Sequence, residues 1–153
     1  MKILVSACLL GENCKYSGGN NYNQAVCDFA RGHQVVPVCP EVLGGLPTPR
    51  SPAEIVQGVV TNKEGINVDR EFRAGAAKAL AIAKENGVEL AILQSRSPSC
   101  GVKGIYDGTF SGTKIPGQGV FAKMLMDEGV RVLDAGELPK IILKNEDGKC
   151  QSN

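Results

Sequence analysis

Three short apolar runs in this chain each end on a cysteine. The cysteines are Cys8, after ILVSA, Cys39, after VVPV, and Cys100, which follows the run LAIL through the polar turn QSRSPS. A short, continuous apolar run is typical of a buried strand in a parallel sheet, and such sheets place their ligand sites beyond the carboxyl ends of the strands. The sequence therefore predicts that three separate strand ends each deliver a thiol to the same region.

The remaining segments alternate between strand-like and helical patterns. Strands are predicted at about 2–7, 34–38, 89–95 and 131–134, helices at about 22–31, 70–86 and 120–128, and a small β excursion at about 54–68. This alternation predicts an α/β fold, a Rossmann-like three-layer sandwich with a mostly parallel sheet. We expect Asp69 to cap the long helix and the glycine-rich segment 101–119 to be a functional loop.

Length and composition favour one globular domain, predicted over residues 1–144, with a polar tail over 145–153. The 17 basic and 16 acidic side chains leave a net charge of +1, which argues against a long nucleic acid as partner. No apolar run is long enough for a membrane span or a secretory leader. We therefore expect a cytoplasmic protein, whose cysteines stay reduced and are more often metal-binding or catalytic than disulfide-bonded.

The six cysteines are not equivalent. Cys27 lies on a predicted helix and is expected to pack as a small hydrophobe, Cys150 lies in the tail, and the role of Cys14, in a loop, is left open. Three thiolates with no obvious fourth ligand fit a cubane iron–sulfur cluster with one open iron. A zinc site completed by Cys14 or His33, a thiol redox site and three buried small residues are the alternatives.

Polar residues next to the strand-end cysteines suggest chemistry at the same site. Glu41 follows Cys39 by two residues and could act as a general base toward a ligand, while Ser97 and Ser99 precede Cys100 and could hydrogen-bond a substrate or the cluster sulfurs. Each also has a purely structural interpretation, as a loop ion pair or as turn residues. The nearby cations are Arg50, Arg96 and Lys103. They could offset the negative charge of a thiolate-bound cluster or anchor a substrate, and the alternative is that they are solvated surface charges.

Four blocks of the sequence resemble a known family. VSACLLGENCKYSGG, VPVCPEVLGGLPTPR, QSRSPSCG and YDGTFSGTKIPGQGV are similar to the bacterial thiouracil desulfidase-like family, formerly a domain of unknown function, in its short single-domain form. The resemblance implies a 4Fe-4S cluster on Cys8, Cys39 and Cys100, with one iron open to the sulfur of a thiolated substrate. It also implies a non-redox reaction in which water, activated by Glu41, replaces that sulfur, with Ser97 as a polar partner. Lys15 and Ser17 depart from the family block, which has arginine and aspartate there.

The predicted activity is removal of sulfur from a small thiolated heterocycle such as thiouracil, with release of sulfide. A zinc-dependent or metal-free binding protein, or a thiol redox protein, is the alternative function. The sequence does not predict an oligomeric state. The predicted site comprises Glu41 and Ser97 as catalytic residues, Ser99, Arg50 and Lys103 as substrate-binding residues, and Cys8, Cys39 and Cys100 as metal ligands.

Overall fold

The computed structural model describes residues 1–138. In chain order its elements are β1 (Lys2–Ser6), a 3₁₀ turn (Ala7–Leu10), α1 (Gln24–Ala30), β2 (Gln34–Val38), α2 (Pro40–Leu43), β3 (Ala53–Val56), β4 (Val59–Asn62), α3 (Asp69–Glu85), β5 (Leu90–Leu93), β6 (Gly104–Tyr106), β7 (Lys114–Pro116), α4 (Val120–Asp127), β8 (Arg131–Asp134) and a second 3₁₀ turn (Ala135–Glu137). Four strands form a parallel sheet in the order β2-β1-β5-β8.

The two central strands of this sheet, β1 and β5, are almost entirely buried. Side chains along a strand alternate between the two faces of the sheet, so Leu4 packs in a core with α3 and α4. Ile3 and Val5 pack in a second core with Val26 of α1. The predicted α/β fold, with a parallel sheet between two helical layers, is confirmed.

The helix α3 packs closely against α2. Gly75, in the middle of α3, lies so near the chain of α2 that a Cβ atom there would come within 1.8 Å of the Pro40 carbonyl oxygen. A glycine inside a helix is unfavourable relative to alanine, and this close approach explains why it is tolerated. The contact matters for the site because α2 begins directly after Cys39.

The prediction that Asp69 caps α3 was wrong. Asp69 is the first residue of the helix, after Val68. Its carboxylate instead accepts hydrogen bonds from the Val60 amide and from Arg73 Nε, at 3.0 and 2.7 Å. Asp69 therefore joins the start of α3 to the β3–β4 hairpin.

The predicted β excursion at 54–68 is an antiparallel hairpin of β3 and β4. The glycine-rich segment 101–119, predicted as a loop, contains a second antiparallel hairpin, β6–β7. Each of its strands has three residues, too few for an alternating pattern to stand out among the surrounding glycines. The predicted domain boundary at 144 and the tail lie outside the described residues.

Candidate active site

A cavity of about 940 Å³ opens beyond the carboxyl ends of the central strands. Four thiols line it, and so do an acid, a cation and two serines of the predicted site. These residues are Cys8, Cys14, Cys39, Cys100, Glu41, Arg50, Ser97 and Ser99. The structure thus brings together the three strand-end cysteines and adds Cys14 to them.

Cys8 and Cys39 are held by the turns that end β1 and β2. Cys8 lies in the 3₁₀ turn after β1, and its sulfur accepts a hydrogen bond of 3.4 Å from the Asn21 side chain. Cys39 is the N-cap of α2, and its thiol contacts the Cys14 carbonyl oxygen at 3.9 Å. The loop that carries Cys14 and Asn21 therefore packs over both thiols.

Cys100 is fixed by the packing of its turn on α4. The carbonyl oxygen of Ser99 accepts from the amides of Phe121 and Ala122 at 2.9 and 3.1 Å. A Cβ atom at Gly119 would come within 2.5 Å of the Ser99 backbone, so only glycine permits this contact. As a result the Cys100 thiol is 4% exposed and faces the cavity from a rigid turn.

Ser6, which sequence reasoning missed, links Cys100 to the sheet. Its hydroxyl accepts from the Gln94 amide at 3.0 Å and donates to the Cys100 sulfur at 3.3 Å. Ser6 is 2% exposed, and a buried hydroxyl needs such partners. A serine inside the apolar run before Cys8 was the available signal, since a polar residue in a buried strand requires an explanation.

The thiols differ in acidity. A hydrogen bond to the Cys14 side chain is the main cause that lowers the pKa of Cys8 to about 7 and that of Cys39 to about 7, against the opposing effect of burial. Hydrogen bonds to Cys39 and Cys8 raise the pKa of Cys14. Burial raises the pKa of Cys100 to about 12, although the hydrogen bond from Ser6 lowers it. Cys14 has a single S–H hydrogen and can donate it to only one of its neighbours Cys8 and Cys39 at a time, so one of these two is prepared to become a thiolate, whereas Cys100 needs a cation or metal to do so.

The Glu41 carboxylate lies at the centre of the polar contacts. Oε2 accepts a hydrogen bond of 2.9 Å from the Ser99 hydroxyl and has the Ser97 hydroxyl at 3.5 Å. Oε1 receives Arg50 Nε and Nη2, both at 3.0 Å. Each carboxylate oxygen thus has its own protein donor.

The two serines form a hydrogen-bond chain with a definite direction. Ser97 Oγ accepts from the backbone amides of Ser99 and Cys100, both at 3.0 Å. Because its lone pairs are occupied, its own hydrogen points to Ser99 Oγ, 2.8 Å away. Ser99 in turn donates to Glu41, so the direct partner of the acid is Ser99, and Ser97 acts behind it.

The predicted cations do not share one environment. The Arg50 side chain is 7% exposed and bonded to Glu41. Lys103 is 71% exposed, pairs with Glu137 and is absent from the cavity wall, so the structure does not bring it to the site. Arg96 lines the cavity and has a positive φ of 64°, a backbone conformation that is uncommon for residues other than glycine.

The remaining residues considered from the sequence lie elsewhere. Cys27 is half-buried on α1, with its sulfur 3.8 Å from the Leu9 carbonyl oxygen. His33 stacks on Phe29 with a centroid distance of 5.1 Å and is absent from the cavity wall. Cys150 lies outside the described residues. The cavity, rather than any of these side chains, is therefore the place where thiol chemistry is concentrated.

The four thiols border a volume rather than meeting at a point. Within residues 1–138, there is no group of three or more His, Cys, Asp or Glu side chains close enough together to hold a single metal ion. A cubane cluster binds each of its cysteines through a different iron, so its ligands must surround a cavity. The donor chemistry and the arrangement of Cys8, Cys39 and Cys100 around the cavity fit such a group.

Comparison with known proteins indicates the family of this chain. Residues 3–137 match the family model described as 2-thiouracil desulfurase. The chain is 42% identical over 150 residues to YbbK of Bacillus subtilis (strain 168), which is described as uncharacterized, covering 92% of this chain and 99% of that protein. It also superposes on a solved [4Fe-4S]-dependent thiouracil desulfidase, TudS, with a TM-score of 0.84 and 40% identity, covering 94% of this chain and 96% of that one.

Proposed function

Because the chain belongs to the 2-thiouracil desulfurase family, we propose that it is an iron–sulfur-dependent desulfidase. It removes sulfur from a small thiolated heterocycle such as thiouracil. The C=S group and one water become C=O and hydrogen sulfide, so no oxidant or reductant is needed. The observation that carries the proposal is the Glu41–Ser99 pair, which lies on the wall of a cavity shared with Cys8, Cys39 and Cys100.

We propose Cys8, Cys39 and Cys100 as the ligands of a 4Fe-4S cluster. Soft thiolate ligands select such clusters, and these three side chains come from three different strand ends around the cavity. When bound, the cluster supplies a Lewis-acidic iron that polarises the thiocarbonyl group. The hydroxyl of Ser6 then serves as a hydrogen-bond donor to the Cys100 thiolate, as it is to the thiol.

Glu41 is the general base in this proposal. An ionised carboxylate has about four lone-pair positions, and the two donors on Oε1 and the one close donor on Oε2 leave a position on Oε2 for water. Glu41 takes a proton from that water as the oxygen attacks the thiocarbonyl carbon. Ser99, which is 1% exposed, holds the carboxylate in place, and Ser97 holds Ser99.

The cellular compartment and the partner of the protein form a further part of the proposal. Among residues 1–138, no helix is both long and apolar enough to cross a membrane. The five cysteines within residues 1–138 are all free, which suits a reducing compartment, so we propose that the enzyme works in the cytoplasm. Its partner is a small thiolated heterocycle rather than a long nucleic acid, because a charge of +1 provides no basic footprint.

Anaerobic purification tests the function. We expect a brown protein with roughly four irons per chain that releases sulfide from 2-thiouracil and forms uracil in equal amounts. Screening other thiolated bases and nucleosides for sulfide release then identifies the preferred substrate. A colourless protein that binds one zinc, or that takes up no iron and sulfide on anaerobic reconstitution, contradicts the proposal and favours a zinc or metal-free binding protein. A turnover that requires an added thiol or disulfide favours a redox protein.

A further inference from the structure

We infer that Arg50 is a positioning residue for Glu41 and makes no direct contact with the substrate. The inference rests on the proposed function, because it assigns Arg50 a role behind the general base of that reaction. It differs from the expectation drawn from the sequence, where a lone arginine near the site suggested an anchor for substrate.

Four of the five N–H donors of the Arg50 guanidinium make hydrogen bonds within the protein, and the nitrogen that carries the fifth is in ion-pair contact with Glu41. Nε donates to Glu41 Oε1 at 3.0 Å, and Nη2 lies 3.0 Å from the same oxygen. Nη1 donates to the Pro47 carbonyl oxygen and to Thr48 Oγ1, both at 3.0 Å. Nη2 donates to the Cys14 carbonyl oxygen at 2.8 Å. Because guanidinium has five donors, four of them bonded to the protein and the fifth on a nitrogen beside Glu41 Oε1, Arg50 is committed to protein groups rather than to a bound heterocycle.

The contacts of Arg50 determine how the carboxylate is oriented. Both guanidinium donors meet the same oxygen, Oε1, so Oε2 is turned toward Ser99. The side chains of Glu41 and Arg50 are only 16% and 7% exposed, and a charge so far removed from water needs a partner. Without Arg50, Glu41 has no cation among its described hydrogen-bond and ion-pair partners and would be free to rotate away from Ser99.

Arg50 also connects Glu41 to the loop over the thiols. Its side chain holds the Cys14 carbonyl oxygen, and its backbone amide donates to the Tyr16 carbonyl oxygen at 2.7 Å. The same Cys14 carbonyl receives the Cys39 thiol. One buried arginine therefore sets both the direction of the base and the position of the loop that faces it.

The test compares Arg50→Met and Arg50→Lys with Arg73→Met as a matched control. Arg73 is paired with Asp69 through Nε at 2.7 Å and is absent from the cavity wall, so its loss removes an arginine–carboxylate pair at a more exposed place. Misplacing a catalytic group by about 1 Å can cost about a hundredfold in rate. We expect Arg50→Met to lower kcat by about that factor with KM nearly unchanged, and Arg73→Met to leave both constants near wild type.

Two further readouts separate positioning from general damage. Arg50→Met should keep its iron content and visible spectrum, and added methylguanidinium should restore part of kcat in a saturable way. Arg50→Lys, which retains the charge, should lie between wild type and Arg50→Met. Loss of the cluster in Arg50→Met, or a raised KM with unchanged kcat, overturns the inference in favour of a structural or substrate-binding role.

A crystal structure of cluster-free Arg50→Met tests whether Arg50 positions Glu41, and it needs no activity measurement. We expect the Glu41 carboxylate to leave Ser99 in this variant and to remain within hydrogen-bond distance of it in Arg50→Lys. A carboxylate that stays on Ser99 in Arg50→Met contradicts the inference. If wild-type protein releases no sulfide, the proposed function fails while this structural result still stands for or against Arg50.

Discussion

Ser99 donates a hydrogen bond of 2.9 Å to Oε2 of Glu41, although the two residues are 58 positions apart in the chain. Glu41 belongs to a short helix after β2, and Ser99 belongs to the turn after β5. The strand β1 lies between these two strands, so the contact spans the carboxyl end of the sheet. The acid and its partner are thus held by separate elements of the fold.

Glu41→Gln should abolish most turnover and leave the cluster in place. The amide keeps the shape of the side chain but cannot accept the proton of water, and loss of a general base typically costs about a hundredfold to ten-thousandfold in rate. Sulfide release and iron content, measured on the same anaerobic preparation, check this. A colourless Glu41→Gln protein would instead assign Glu41 a structural role in holding the site.

Ser99→Ala should reduce kcat more than Ser97→Ala does. Ser99 donates directly to Glu41, the proposed base, whereas Ser97 reaches it through Ser99. A hydrogen bond to a charged group contributes about 1.5–3 kcal/mol, which corresponds to about a tenfold to hundredfold loss in rate for Ser99→Ala. Steady-state kinetics of the two variants decide the order, and a larger effect from Ser97→Ala would move the catalytic role back to Ser97.

Serine substitutions should separate the cluster ligands from Cys14. Cys8→Ser, Cys39→Ser and Cys100→Ser should each lose most of the iron, because a hydroxyl is a poor substitute for a thiolate on iron. Cys14→Ser should retain roughly four irons per chain, since the proposed ligands are the three strand-end cysteines and Cys14 lies beside two of them. Iron and acid-labile sulfide analysis measures this. Iron loss in Cys14→Ser equal to that of the other three would make Cys14 a ligand.

In cluster-free protein, the thiols should differ in their pH dependence toward iodoacetamide. The thiolate is the reactive form, so labelling of a cysteine rises with pH until its pKa is passed. With pKa values of about 7, Cys8 and Cys39 should label much faster at pH 8 than at pH 6 and then level off. Cys100, whose pKa is raised to about 12, should label slowly and continue to rise. Peptide mapping by mass spectrometry follows each site, and early labelling of Cys100 would contradict the expectation.

The sequence predicted those parts of the site that depend on local pattern. Apolar runs ending on Cys8, Cys39 and Cys100 indicated strand ends, and parallel topology brings such ends to one edge of the sheet. The four-stranded parallel sheet and most element bounds follow from the same alternation of strands and helices.

The hydrogen-bond and ion-pair partners of the site residues could not be predicted, because they depend on tertiary contacts between distant segments. Arg50 and Lys103 looked alike in the sequence, yet one is buried against Glu41 and the other is exposed beside Glu137. Ser97 and Ser99 flank the same proline, and only the position of Glu41 distinguishes the direct partner from the indirect one. The β6–β7 hairpin was missed because its strands are too short to show a period of two.

Gly75→Ala should destabilise the protein although alanine is the better helix former. A Cβ atom at this position would lie 1.8 Å from the Pro40 carbonyl oxygen, so α2 or α3 must move. Overpacking of this kind costs about 1–3 kcal/mol, which outweighs the gain in helix propensity of about 1 kcal/mol. Ala81→Gly, at an exposed position of the same helix, is the matched control and should lose about 1 kcal/mol through propensity alone.

Urea unfolding of the cluster-free proteins measures both changes. Since α2 starts at Pro40, directly after the proposed ligand Cys39, displacement of this helix should also reduce iron uptake in Gly75→Ala, whereas Ala81→Gly should take up iron as wild type does. A Gly75→Ala protein that is more stable than wild type would show that the two helices can separate at little cost, and that their close approach does not position the site.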